Sequence, residues 1–226
     1  MLTEKTIIVT GGAGVLGLEV AKAAKSYGAQ VVLFDVVEGF EHEVGKYMRV
    51  DLTDQAALKV AVDAVVKDIG EINGVANIAG GFDMGPTVYE TEDQLWEAMF
   101  TINVTTLRRV LSTVTPNLVA SGSGSIVNIG ALGAMRGAGN MGAYTAAKST
   151  VMRLTESLSD EVKSHGVNVN AVLPSLIDTP RNRADMPDAD YSSWVKPSDI
   201  AEVVCFLLSA RAKAIHGALV PVNGLM

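Results

Sequence analysis

Tyr144 and Lys148 are residues whose types and spacing suggest proton transfer. Four positions separate them, so on a helix their side chains share one face, one turn apart. A phenol with a pKa of about 10 is poorly matched to acid–base work at neutral pH. A neighbouring ammonium favours the phenolate and so lowers that pKa. By itself such a pair is also typical of a solvated helix surface, so its interpretation depends on the rest of the chain.

A glycine-rich segment near the N-terminus suggests phosphate binding. Residues 10–17 read TGGAGVLG and lie between a β-branched run and a helical pattern. Glycines at a strand-to-helix turn let a pyrophosphate approach the backbone, and the helix N-terminus offers free N–H groups. The segment therefore predicts a dinucleotide-binding loop, the alternative being an ordinary tight turn. The loop residues expected to contact the cofactor are Gly11, Gly14, Val15, Leu16 and Gly17.

Asp35 indicates which dinucleotide this is. It closes the second predicted strand, 18 residues beyond Gly17. A carboxylate at this position can accept hydrogen bonds from the adenosine ribose and repels a 2′-phosphate. Residues 11–17 contain no Arg or Lys that would bind such a phosphate. NAD(H) is therefore favoured over NADP(H), unless Asp35 only caps a turn.

The elements that must position these residues alternate along the chain. Helical patterns separate seven short runs typical of buried strands. The predicted strands are Thr6–Thr10, Gln30–Phe34, Tyr47–Val50, Gly74–Ile78, Ser125–Ile129, Val167–Leu173 and Ala218–Val222. The predicted helices are Gly17–Tyr27, Asp54–Ile69, Thr91–Leu118 (opened by a Thr91/Gln94 capping box), Ala143–His165 and Lys196–Ser209.

This alternation predicts the α/β class. We expect a Rossmann-type, doubly wound, parallel seven-stranded sheet in a three-layer arrangement, with one domain over residues 1–226. The longest irregular stretch is Asp178–Val195. A stretch of that length usually serves function, and we interpret it as a substrate lid.

Composition narrows the classes of partner. The 226 residues include 25 acidic and 18 basic side chains, a formal net charge of −7, which argues against nucleic acid or an anionic membrane surface as a partner. Apolar runs stay below the roughly 18 residues of a membrane helix. The single Cys205 and the absence of a signal-peptide pattern suggest a cytoplasmic protein. Three scattered histidines predict no metal site, which leaves a small-molecule substrate.

Five further motifs accompany the loop and the tyrosine–lysine pair. They are Asp51-Leu52, Asn77-Ile78-Ala79-Gly80, Asn103 within Thr101–Val104, Pro174–Thr179, and Gly217–Gly224. In this order, the seven motifs resemble those of the short-chain dehydrogenase/reductase family over essentially the whole length. The resemblance implies an NAD(P)-dependent oxidoreductase that transfers hydride between nicotinamide and a small carbonyl, alcohol or conjugated ring substrate.

The resemblance also implies roles for individual residues. Tyr144 would be the general acid/base, Lys148 would bind the nicotinamide ribose, and Asn103 would hold a water that links Lys148 to solvent. The further cofactor contacts that it implies are Asp51, Leu52, Asn77, Ala79, Gly80, Pro174, Ile177 and Thr179. The helices Thr91–Leu118 and Ala143–His165 resemble the family's dimer-forming pair, so a homodimer or homotetramer is expected.

The sequence departs from the family pattern at two positions. Val15 occupies the middle glycine of the usual phosphate loop, and Ala131 occupies the position of the catalytic serine, 13 residues before Tyr144. A methyl group cannot donate a hydrogen bond, and the loss of one comparable donor costs about 10²–10³ in kcat.

Three interpretations follow from Ala131. The substrate needs no serine donor, as in the quinonoid dihydropteridine reductase branch, which has alanine at this position. Alternatively, another hydroxyl or Asn140 replaces the serine in an ordinary carbonyl/alcohol enzyme. In the third interpretation, the chain binds NAD(H) but has impaired catalysis. We favour the first two, because the Tyr, Lys and Asn set is otherwise intact.

The substrate side is the least determined part of the sequence. The residues predicted to contact substrate are Ala131, Asn140, Met141, Arg181 and Trp194. Arg181 and Arg183 suit a clamp for a carboxylate or phosphate, although a solvated lid face balanced by nearby aspartates is favoured. Trp194 suits stacking on a flat ring, or anchoring of the lid to the core.

Overall fold

Strand β1 (Thr6–Thr10) lies inside the sheet of the computed structural model, which describes residues 1–226. It pairs in parallel with β2 (Gln30–Asp35) on one side and with β4 (Gly74–Asn77) on the other. All five β1 residues are buried, since helices cover both faces of the sheet. This environment explains why the run TIIVT lacks an alternation of apolar and polar residues.

The seven predicted strands are confirmed, with ends that differ by one residue at most. The remaining four are β3 (Lys46–Arg49), β5 (Gly124–Ile129), β6 (Val167–Pro174) and β7 (Leu219–Val222). The spatial order is β3-β2-β1-β4-β5-β6-β7, and every neighbouring pair is parallel. The chain reverses its direction of winding between β1 and β4. Ligands of such sheets bind at this point, beyond the carboxyl ends of the strands.

Helices form a layer on each face of the sheet. Helices α1 (Val15–Ser26) and α7 (Pro197–Leu208) share one buried cluster with Ile7 and Val9 of β1. The other cluster contains Ile8 and lies under the second group of helices. These are α2 (Gln55–Asp68), α4 (Thr106–Ser121) and α5 (Gly142–Val162). None of the helices combines the length and hydropathy that crossing a bilayer requires.

The predicted helix Thr91–Leu118 is interrupted. It consists of α3 (Asp93–Phe100), a π-helical turn (Thr101–Thr105) and then α4, with the Thr106 amide donating to the Thr101 carbonyl. The predicted capping box is wrong, because the helix starts at Asp93 without a side-chain cap. The Thr91 hydroxyl instead donates to the Thr87 carbonyl at 2.8 Å, which places Thr91 in the preceding turn.

The predicted irregular stretch Asp178–Val195 is also partly wrong, since it contains helix α6 (Pro180–Asp185) and a 3₁₀ turn at Tyr191–Ser193. The Thr179 hydroxyl accepts the Asn182 amide at 3.2 Å and so caps α6. A threonine followed by a proline at the first helical position is a helix-start signal. The sequence therefore contains a helix-start signal at Thr179, although the density of Asp, Arg and Pro in this stretch predicts irregular structure.

Candidate active site

The glycine-rich loop leaves no room for side chains at two positions. Gly11 has a φ of +65°, and a Cβ there would lie 2.9 Å from the backbone of Ala79. A Cβ at Gly17 would lie 2.0 Å from the Gly11 carbonyl oxygen. No side chain caps α1 at Gly14, so the first-turn N–H groups remain available to an anion. The loop therefore has the features that a pyrophosphate requires.

A cleft of about 340 Å³ opens beside this loop. Nine of the residues predicted to bind cofactor line it, namely Gly11, Gly14, Leu16, Gly17, Asp35, Asp51, Leu52, Ala79 and Gly80. The sequence analysis missed six others, which are Val36, Val50, Thr53, Ile78, Ile102 and Thr106. Of these, Val36, Val50, Thr53 and Ile78 adjoin predicted positions, and that adjacency was the available signal.

Other predicted cofactor residues lie outside the walls of this cleft. Val15 is exposed at the start of α1, and Asn77 is buried within the sheet, where its amide donates to Asn128 Oδ1 at 2.9 Å. Pro174, Ile177 and Thr179 lie beyond the cleft, along the chain from the end of β6 to α6. The cleft is thus lined by the residues that were predicted to bind the adenine and phosphate part of the cofactor.

Asp35 is bonded to the loop. Its Oδ2 accepts the amide of Ala13 at 2.9 Å, and its Oδ1 accepts the amide of Val36 at 2.7 Å. Arg49 lies opposite Asp35 in the strand pairing, and its guanidinium is 3.3 Å from the Glu38 carboxylate. Arg49, the basic residue aligned with Asp35 in the strand pairing, is therefore already paired with an anion.

Asp51 is held as a carboxylate at the edge of the same cleft. The Thr53 hydroxyl and the Thr53 amide both donate to Asp51 Oδ1 at 2.7 Å, and these bonds lower the pKa of Asp51. The charge of Arg109 lowers it further. One oxygen of Asp51 is thereby fixed, while the residue stays exposed to the cleft.

Burial dominates the electrostatics of the tyrosine–lysine pair. It raises the pKa of Tyr144 to about 12 and lowers the pKa of Lys148 to about 8. The Lys148 ammonium donates to the Ile129 carbonyl at 2.9 Å. The prediction that the Lys148 charge lowers the tyrosine pKa is therefore wrong for this state of the protein. Removal of both groups from water outweighs their proximity.

Asn103 lies in the π-helical turn and is buried. Its side-chain amide donates to the carbonyls of Gly81 and Met99, both at 3.0 Å, and its Oδ1 accepts the Gly81 amide at 3.1 Å. A Cβ at Gly80 would lie 2.9 Å from Asn103 Oδ1 and 3.2 Å from Lys148 Nζ. The structure therefore brings Asn103 and Lys148 together at Gly80, and Gly80 lines the cleft.

Phe82 contacts the candidate acid/base and was missed by the sequence analysis. Its ring meets the Tyr144 ring edge to face, with centroids 4.8 Å apart and planes at 83°. The only signal in the sequence was an aromatic residue directly after the two glycines that follow β4.

Ala131 belongs to a second group of residues near Tyr144. It is buried at the end of β5 in a small apolar cluster with Met152 and Leu173, and Tyr144 packs against that cluster. Asn140, by contrast, is exposed with a φ of +63°, and its amide donates to the Gly85 carbonyl at 2.6 Å. That bond uses one of the two N–H donors of the Asn140 amide, so the replacement of the missing serine by Asn140 stays a prediction.

The predicted lid is held by a chain of contacts. Arg183 forms a two-pronged ion pair with Asp178 at 2.6 and 2.8 Å, and its guanidinium lies 4.6 Å from the centre of the Tyr191 ring. Tyr191 in turn packs edge to face on Trp194, which is buried. Trp194 therefore anchors the lid, and stacking on a substrate ring is not supported.

The remaining predicted substrate residues lie at the edges of the site. Arg181 is exposed and lies 3.8 Å from the Asp185 carboxylate, as expected for a solvated face. Met141 is half-buried and precedes the first residue of α5. No group of three or more His, Cys, Asp or Glu side chains has an arrangement that would hold a metal ion.

Comparison with known proteins gives consistent similarities. A family model described as short chain dehydrogenase matches residues 5–190. The Penicillium rubens short chain dehydrogenase adrF is 33% identical over 99% of this chain and 97% of its own. The 2,5-dichloro-2,5-cyclohexadiene-1,4-diol dehydrogenase LinX of Sphingobium indicum is 32% identical, with 99% and 96% covered. Among solved structures, a levodione reductase has a TM-score of 0.89 at 26% identity, with 99% and 98% covered.

Proposed function

The chain belongs to the short-chain dehydrogenase/reductase family, and we propose that it is an NAD(H)-dependent enzyme that interconverts a secondary alcohol and the corresponding ketone. One observation carries the proposal: the side chains of Asn103 and Lys148 meet at Gly80, a residue of the cleft wall. The helix that carries Lys148 presents Tyr144 one turn earlier. The proposed cofactor cleft and the acid/base pair are thus adjacent.

The residues present suit a dinucleotide. The loop has the close backbone approaches at Gly11 and Gly17, the uncapped start of α1, and a carboxylate at Asp35. When bound, the nicotinamide supplies or accepts the hydride. In ketone reduction, Tyr144 donates its phenolic proton to the substrate oxygen; in alcohol oxidation, the Tyr144 phenolate accepts the alcohol proton. Lys148, one turn beyond Tyr144 on α5, would bind the nicotinamide ribose.

Preference for NAD(H) over NADP(H) is supported by charge. A carboxylate at the end of β2, as Asp35 supplies, repels the 2′-phosphate of NADP(H), and the nearby Arg49 is paired with Glu38. No basic side chain lies within residues 11–17. Equilibrium titrations with NADH and NADPH test this preference, and tighter binding of NADPH would contradict it.

A second candidate function is favoured by Ala131. A buried methyl at the serine position removes one donor to the substrate oxygen, so the chain would bind NAD(H) with slow turnover of simple ketones. A dihydropteridine-reductase-like activity shares this feature, because a conjugated ring requires less polarisation at one oxygen. Assays with ketones and with quinonoid dihydropterins separate these activities. Turnover of ketones supports the main proposal, and turnover of quinonoid dihydropterins supports the dihydropteridine-reductase-like activity.

The proposed assembly is a homodimer or homotetramer. A surface groove of about 440 Å³ runs between α4 and α5, the helix pair that resembles the family's dimer contact. Its lining includes exposed Arg108 and Glu161, which have opposite charges and suit a two-fold contact. Light scattering of the purified chain tests the assembly. The single cysteine, buried in α7, is consistent with a proposed cytoplasmic location.

The main proposal is tested by incubating the enzyme and NADH with a panel of ketones and following the oxidation of NADH as a loss of its fluorescence. Wild-type enzyme is expected to consume NADH with at least one cyclic or acyclic ketone and to form the alcohol in equal amount. The Tyr144→Phe variant is expected to bind NADH but to lose this turnover. NADH binding by the wild type without turnover of any ketone would favour the second candidate.

A further inference from the structure

The segment of residues 81–88, here named the entrance segment, is fixed at three points beside the tyrosine. Asn103 holds both backbone groups of Gly81. Gly85 exchanges two hydrogen bonds with Asn140, because its amide also donates to the Asn140 carbonyl at 3.0 Å. Val88 covers the start of α5, where a Cβ at Gly142 would lie 2.7 Å from Val88 Cγ2. The segment is therefore tied to the π-helical turn, to the residues just before α5 and to the start of α5, the helix that carries the acid/base pair.

Phe82 is the residue of this segment that reaches the reacting group. It follows the glycine that Asn103 holds, and its ring packs on Tyr144 as described above. Phe82 is 40% exposed, whereas Ala131, in the apolar cluster against which Tyr144 packs, is buried. Of these two neighbours of Tyr144, Phe82 is therefore the one whose side chain is open to a molecule arriving from solvent.

The ring of Phe82 is the apolar surface that the structure shows beside the tyrosine. Met84 on the entrance segment and Met135 after β5 also expose large hydrophobic side chains. An exposed aromatic ring next to a proton donor stabilises a substrate that has apolar surface beside its oxygen. Asp83, the next residue along the chain after Phe82, is exposed, and its negative charge disfavours an anionic substrate.

We propose that Phe82 is the specificity-determining residue of the site, and that it selects neutral ketones and alcohols whose oxygen-bearing carbon belongs to an apolar ring system. This inference rests on the proposed function and specifies its substrate class. Phe82 has a second, positioning effect, because its edge-to-face contact restricts the orientation of the Tyr144 ring. The carbonyl chemistry is unchanged: hydride goes to the carbonyl carbon and the Tyr144 proton to its oxygen.

The experiment compares 2-tetralone, a bicyclic apolar ketone, with hydroxyacetone, a small polar one. For Phe82→Ala, kcat/KM on 2-tetralone is expected to fall by about tenfold or more, mainly through KM, and to change much less on hydroxyacetone. Phe82→Leu retains apolar surface but no aromatic contact, so it should keep the preference for 2-tetralone at a lower kcat. Tyr89→Ala is the matched control, since Tyr89 adjoins the segment but is 85% exposed.

Two results would overturn the inference. Equal losses on both ketones would reduce Phe82 to a general positioning role, and unchanged kinetics would remove it from the site. Unaltered NADH affinity and thermal midpoint confirm that each variant is folded. If the wild type turns over no ketone, the proposed function fails, and calorimetry of 2-tetralone binding to the NADH complex then decides the inference alone. Weaker binding by Phe82→Ala than by Tyr89→Ala supports it, and equal or absent binding refutes it.

Discussion

The Lys148 ammonium donates to the carbonyl oxygen of Ile129, 2.9 Å away, in a site where burial lowers the lysine pKa to about 8. The unfolded chain holds the same proton up to about pH 10.5, so it binds more protons than the folded chain between these values. The cost of a buried charge is fully present below pH ~8 and is relieved as the pH rises.

Lys148→Met should remove this pH dependence. Between about pH 7.5 and pH 9.5 the free energy of unfolding of the wild type is expected to rise by about 2 kcal/mol relative to that of the variant. Urea titrations at the two pH values measure the difference. A parallel response of both proteins would show that Lys148 keeps an ordinary pKa when folded.

Tyr144→Phe should lower kcat/KM by about 10²–10⁴, because it removes the proton donor and keeps the ring. With a tyrosine pKa near 12, alcohol oxidation by the wild type should increase with pH through the alkaline range, since the phenolate is the reactive form. Steady-state rates against pH check both statements. Tyr27→Phe, a change at the end of α1, serves as the control and should match the wild type.

Ala131→Ser should increase the reduction of hydroxyacetone by about a hundredfold, since one donor to a developing oxyanion has an effect of that order. Ala134→Ser introduces a hydroxyl into the same apolar cluster and should give no increase. Single-turnover rates with NADH provide the comparison. Without a gain at Ala131, the substrate oxygen must be held by a different donor.

Asp35→Asn should reduce the preference for NADH over NADPH by about tenfold, equivalent to roughly 1.4 kcal/mol. The variant keeps one oxygen that can accept the Ala13 amide, and it removes the charge together with the acceptor of the Val36 amide. Asp63→Asn makes the same chemical change on the exposed face of α2, where Asp63 pairs with Lys59. Dissociation constants of both nucleotides should be unaffected there, and an equal effect at the two positions would exclude a local role for Asp35.

Arg183→Met should loosen the predicted lid without unfolding the protein. The variant removes the two-pronged pair with Asp178 and the contact with the Tyr191 ring. Amides of residues 180–194 are then expected to exchange with deuterium faster, while the thermal midpoint hardly moves, because partly exposed ion pairs contribute little to global stability. Arg181→Met is the control. If the amides of residues 180–194 exchange at the same rate in both variants, Arg183 does not hold the lid in place.

The strands were predictable because buried parallel strands leave a direct trace in sequence, as in TIIVT at β1 and VNVNAVL at β6. Part of the cleft wall was predictable as well, since glycines at 11 and 17 are required by close backbone approach.

The interruption at Asn103 was not predictable, because the apolar pattern continues through it. The π-helical turn places Asn103 beside Gly81, a residue 22 positions away. The pKa of Tyr144 was misjudged for a related reason. Residue spacing reports the distance to Lys148, whereas the degree of burial depends on the complete fold.

The π-helical turn at Thr101–Thr105 also constrains chain length. Such a turn contains about one residue more than an α turn, so the helical faces before and after it differ in phase by roughly 100°. Before the turn, Met99 packs with Ala143 at the start of α5; after it, Val114 packs into the core under the sheet. An uninterrupted α-helix would direct one of these faces into solvent. Loss of a single residue here would therefore separate α3 from the start of α5, which carries Tyr144, even though no reacting group had been altered.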